Sequence, residues 1–114
     1  MSTVSDFTAS QIDFVRSLTQ ARYHQDIDLH LADAELRLNL DSSTMTSCPT
    51  LFWGARDASF VIFKTPGERF RCQFFYSTND HYGTGKDEYD NLEECVTTLL
   101  QVQADHENQR EESK

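Results

Sequence analysis

The sequence predicts an α+β domain: an antiparallel sheet of about four strands with an N-terminal and a C-terminal helix packed on it. Three observations lead there. Residues 51–77 hold six of the eight phenylalanines and the sole tryptophan of the 114-residue chain. Within that stretch, two runs of aromatic and β-branched residues flank Thr65-Pro66-Gly67-Glu68, the pattern of a hairpin. Apolar residues recur at helical spacing near both ends of the chain.

In the hairpin, Pro66 presets φ and Gly67 supplies φ > 0, which is type II turn chemistry. A four-residue turn pairing Thr65 with Glu68 sets Val61 opposite Cys72 and Phe63 opposite Phe70. Phe74 and Tyr76 continue that apolar, inward face. The other face then carries Phe60, Ile62, Lys64, Arg69, Arg71, Gln73 and Phe75, a mixture of hydrocarbon and positive charge.

Taken in order, the chain starts with a helix signal. Thr8 is placed as N-cap and Gln11 as the return arm of a capping box, with Phe7 and Ile12 as a hydrophobic staple. The helix runs to about Tyr23 and turns Ile12, Val15 and Leu18 inward, with Phe14 and Ala21 beside them. In Asp26–Asp41, Ala34, Leu36, Leu38 and Leu40 alternate with polar residues as in a half-buried strand, although Leu, Ala, Glu and Arg also suit a helix. We read a strand, with a bulge or turn near Ala32-Asp33 where the alternation changes phase. Ser42–Pro49 reads as a loop. Thr50–Trp53 reads as a strand entering the hairpin through Gly54-Ala55-Arg56-Asp57.

Thr78–Glu88 shows no apolar period and reads as irregular. A final helix starts at Asp90 or Asn91, with Asn91 capping and Glu93 and Glu94 at the positive end of the dipole. Its apolar stripe is Leu92, Cys95, Val96, Leu99 and Val102, with Leu100 at the edge. Residues 1–108 are expected to form one domain and residues 109–114 a disordered acidic tail.

Net charge is −9, from 19 acidic and 10 basic residues. Residues 55–77 alone are basic, with four bases against two acids. An acidic field repels nucleic acid and anionic membrane surfaces and attracts basic proteins. The strand Arg69–Tyr76 is aromatic and basic but lacks the small residues of an RNA-recognition signature. No stretch has the form of a signal peptide or a spanning helix, so the expected location is the cytoplasm. Cys48, Cys72 and Cys95 lack C-x-x-C spacing and are read as reduced structural thiols. Gly85-Lys86 lacks the earlier glycine of a phosphate-binding loop. A calcium loop counted from Asp80 would put Asn91 where a bidentate Glu belongs.

These features fit a small acidic, non-catalytic interaction domain, such as an inhibitor, immunity-type protein or accessory subunit. Its partner is a protein, of basic character or a second copy bound through the outer sheet face. The alternative is a small anionic-ligand binder or minor enzyme. Its pocket would be floored by Phe60, Arg71, Phe75 and Trp53, capped by residues 80–85, with Arg71 fixing the anion. The candidate contacts are Phe60, Arg69, Arg71, Phe75, Trp53, Asp80, His81 and Tyr82. No catalytic residue, cofactor or metal is assigned.

Overall fold

The computed structural model describes residues 6–36, 45–55, 58–76, 81–84 and 88–112. Helix α1 (Ala9–Tyr23) is followed by strands β1 (His30–Leu36), β2 (Thr46–Ala55), β3 (Ala58–Thr65), β4 (Arg69–Phe75) and β5 (His81–Tyr82), then helix α2 (Leu92–Glu112). The strands form one antiparallel sheet in the order β1-β2-β3-β4-β5. Both helices pack on one face, so the domain is a two-layer α+β sandwich, as the sequence predicts. Among the described residues no helix is long and apolar enough to cross a membrane.

The hairpin register departs from expectation by one residue. Thr65 pairs with Arg69, not Glu68, because two consecutive residues, Gly67 (φ 79°) and Glu68 (φ 59°), turn left-handed and make a three-residue connection. Ile62 therefore faces Cys72, Lys64 faces Phe70 and Phe60 faces Phe74. A slip of one residue sends every side chain of a strand to the other side of the sheet. The expected inward set is split: Phe70, Cys72 and Phe74 do face the helices, but Val61 and Phe63 lie on the outer face, half-buried. Phe60, Ile62 and Lys64, expected outside, are buried inside.

The inner face carries an aromatic row across three strands. Trp53 lies parallel to Phe60, ring centroids 5.2 Å apart, and Phe60 meets Phe74 at 6.1 Å. The helices close over this row with Val15 and Thr19 of α1 and Cys95, Val96, Leu99 and Gln103 of α2, all fully buried. On α1, Ala21 is exposed and Thr19 takes the inward place that the apolar stripe did not include. Its hydroxyl is satisfied by donating to the Arg16 carbonyl at 2.9 Å.

Both helix starts form as read. Thr8 accepts from the Gln11 amide and the Gln11 side chain accepts from the Thr8 amide, while Asn91 Oδ1 accepts from the Glu94 amide at 3.1 Å. Lys64 holds the first cap to the sheet. Its Nζ donates to the Asp6 carbonyl at 3.1 Å and to Gln11 Oε1 at 3.2 Å, and it lies 6.0 Å from the centroid of the Phe7 ring. A buried ammonium is tolerated where its stem packs on hydrocarbon and its head meets oxygens at the rim.

Four other expectations change. β1 pairs with β2 without interruption from His30 to Leu36, so there is no bulge at Ala32-Asp33. β2 begins at Thr46, inside the expected loop; Pro49 is accommodated because residues 46–49 pair with β1 alone, where a missing donor breaks no second ladder. His81 and Tyr82 pair with Phe75 and Phe74 inside the segment read as irregular. α2 continues to Glu112, into the expected tail 109–114, since an established helix gains one bond for each residue added. Residues 37–44 lie outside the described residues.

The register makes a direct prediction. Phe60→Ala should lose about 3–5 kcal/mol of stability in urea unfolding, whereas half-buried Phe63→Ala should lose about 1 kcal/mol. The reverse ranking would restore the other register. Leu99→Asp, which puts an unpaired carboxylate into the core, should abolish folding as followed by circular dichroism.

Candidate functional site

The outer sheet face, opposite the helices, carries aromatic and basic groups of β2, β3 and β4. β2 and β3 present Phe52, Val61 and Phe63 there, and β4 presents Arg69, Arg71, Gln73 and Phe75. The His30 and Phe52 rings stack at 5.2 Å. Small residues fill the gaps: Cys48, Thr50 and Thr65 are buried on this side.

At the β4 end, Glu88 is the centre of a polar knot. A bridge between Phe70 and Tyr89, two amide–carbonyl bonds of 2.7 Å, sets Glu88 beside β4. Its Oε2 accepts from Thr65 Oγ1 at 3.2 Å and Arg71 Nε at 3.3 Å, and its Oε1 from Arg69 Nη1 at 3.4 Å. With Arg69 59% exposed and Arg71 34%, these ion pairs contribute under about 1 kcal/mol each. Their effect is on charge: the carboxylate already engages both guanidinium groups, so Arg71 does not offer an incoming anion an unshared partner. Cys48 is close enough to feel this knot. Burial pushes its thiol above the ordinary range, Arg71 partly offsets that and Glu88 adds to it, so the thiol stays protonated and unreactive.

The expected pocket does not assemble. Phe60 and Trp53 are core residues on the helix side, whereas Arg71 and Phe75 are on the outer side. Of the loop residues, Asp80 lies outside the described residues. The His81 backbone pairs with Phe75, which leaves Tyr82 on the inner side against Phe74, ring centroids 5.4 Å apart.

Tyr82 belongs instead to a cluster that sequence reasoning missed. His106 of α2 lies 4.3 Å from the Tyr82 ring centroid, 5.5 Å from Tyr76 and 5.8 Å from Phe74. The Tyr76 hydroxyl accepts from Gln103 Nε2 at 3.3 Å and lies 3.4 Å from His106 Nδ1. The signal was present in the spacing. Gln103 and His106 extend the stripe of Val96 and Leu99 by one and two further turns, but polar residues were not counted in it. A half-buried tyrosine bonded to histidine and glutamine closes the end of the core, and the arrangement serves packing.

A third feature is a groove of about 520 Å³ between α1 and α2. Leu18, Leu100 and Ala104 line it, with Arg22, Gln101, Glu107 and Asn108 around them. Among the described residues no three metal-ligating side chains converge.

No protein-family model matches the chain, and neither the curated proteins nor the solved structures contain a match.

Cys48 gives a pH prediction. Its folded pKa is raised, so between the unfolded thiol value of about 8.5 and the folded one the native chain holds a proton that the unfolded chain releases. Its contribution to stability is complete below that window and declines as pH rises through it. Urea unfolding at about pH 7 and about pH 10 should show a smaller alkaline loss in Cys48→Ala than in wild type; equal losses would contradict the assignment.

Proposed function

We propose that this chain is a small, non-catalytic protein-interaction domain that binds through the outer face of its sheet. One observation carries the reading: Phe52, Val61, Phe63 and Phe75 stand together on the face opposite both helices, beside two arginines that Glu88 partly neutralises. Rings beside guanidinium groups already engaged by a carboxylate suit a protein surface better than a phosphate backbone. The net charge of −9 favours a basic partner at long range.

Size sets the strength of such contact. Four strands at about 4.8 Å spacing and seven residues at about 3.3 Å give a flat face of roughly 450 Å², to which the two-residue β5 adds little. A standard interface takes about 800 Å² from each partner. Face-to-face pairing of two copies would therefore be weak and exchanging. A second reading, a small-ligand binder, draws support from the groove between α1 and α2, where Arg22 is the basic residue.

Light scattering from micromolar to millimolar concentration should show reversible dimerisation that Phe63→Asp removes while the circular dichroism is unchanged. A strict monomer throughout would exclude the second copy. Immobilised wild-type and Phe63→Asp proteins should then differ in what they retain from native extract, and identical retention would overturn the interaction surface itself.

A further inference from the structure

Two of the three cysteines meet across the helix–sheet interface. Cys72 is half-buried on the inner side of β4, and Cys95 is fully buried in the first turns of α2. Cys72 Sγ lies 3.8 Å from the Cys95 carbonyl oxygen, close enough to bear on the Cys95 thiol itself. Cys48 is on the opposite face, with its Sγ 3.6 Å from the Thr46 carbonyl. A single buried thiol is ordinary packing. Two in contact, one of them half-open to solvent, are a dithiol that a covalent bond can join.

We propose that Cys72 and Cys95 are a redox-responsive modification site, which a small-molecule disulfide such as glutathione disulfide converts to an internal disulfide tying β4 to α2. The Cys72 thiolate attacks one sulfur of glutathione disulfide, forming a mixed disulfide and releasing one glutathione thiolate. The Cys95 thiolate then attacks Cys72 Sγ, forming the internal bond and expelling the second glutathione. The two cysteines lose two protons and two electrons; glutathione disulfide takes the electrons and leaves as two thiols.

The order of attack follows from the surroundings. The neighbouring Cys72 thiol, then burial, push the Cys95 thiol far above its ordinary value, so it does not open the sequence. Cys72 is half-open and goes first. Closure needs the Cys95 thiolate, so it runs faster as pH rises. The internal bond restricts the unfolded chain and raises the melting temperature.

The test is incubation of the folded Cys48→Ser protein with glutathione disulfide, followed by intact-mass and non-reduced tryptic mass spectrometry. Trypsin cleavage at Lys86 places the two cysteines on separate peptides. The expected result is a transient glutathione adduct on Cys72, then its loss as a linked Cys72–Cys95 peptide pair appears with a higher melting temperature, reversed by dithiothreitol. Cys95→Ser should hold the adduct, and Cys72→Ser should gain none. A Cys72 adduct that never closes, a linkage that forms only in urea, or no reaction at all would overturn the proposal. Wild type mapped in the same way gives the same readout if Cys48→Ser does not fold.

Discussion

The pairing of β3 with β4 is the constraint on which the rest of the structure depends. Phe60 is inward only because Thr65 meets Arg69 across a three-residue turn. That placement completes the row Trp53–Phe60–Phe74, and both helices close over it. With the other register, Val61, Phe63 and Thr65 would face the helices and Phe60 and Ile62 would face out. Every inner contact of β3, Lys64 with the α1 cap included, would go with them.

Lys64 shows how far that choice reaches. Its amine binds Gln11 Oε1, the same oxygen that accepts from the Thr8 amide in the capping box. The start of α1 is therefore fixed by local backbone chemistry and by a tertiary bond from β3 together. At the opposite end of the core, Gln103 and His106 close α2 over Tyr76. In both places a polar side chain ends the apolar core and holds a helix through its nitrogen, Lys64 Nζ at one end and Gln103 Nε2 at the other.

Local signals in the sequence were enough for the two helices, the hairpin and the α+β class. Thr8 with Gln11 and Asn91 with Glu94 are short-range motifs whose atoms meet within one turn, and they can be read without tertiary knowledge. The register could not be read in this way. In Ser59–Lys64 both alternating sets are apolar, Phe60 with Ile62 and Val61 with Phe63, so period-2 reasoning has no preferred face. The deciding detail is Glu68, which takes a left-handed φ that composition assigned to Gly67 alone. Pro49 inside β2 and the pair His81-Tyr82 as β5 were missed for a related reason: ladder pairing overrode weak local preference.

The candidate site follows the same division. Arg69, Arg71 and Phe75 belong to β4, whose facing was read correctly, and they stand on the outer side as expected. Phe60 and Trp53 moved to the core when β3 turned over, while Val61, Phe63 and Phe52 took up the outer face. An aromatic and basic surface survives with different members, because this stretch of chain has rings enough for both sides. Glu88 was invisible as a partner until the Phe70–Tyr89 bridge brought it beside β4.

Cross-strand proton contacts in solution nuclear magnetic resonance test the register most directly. The structure requires contacts linking Phe60 with Phe74 and Ile62 with Cys72. Contacts linking Val61 with Cys72 and Phe63 with Phe70 instead would contradict it, and would dissolve both the core and the outer face described above.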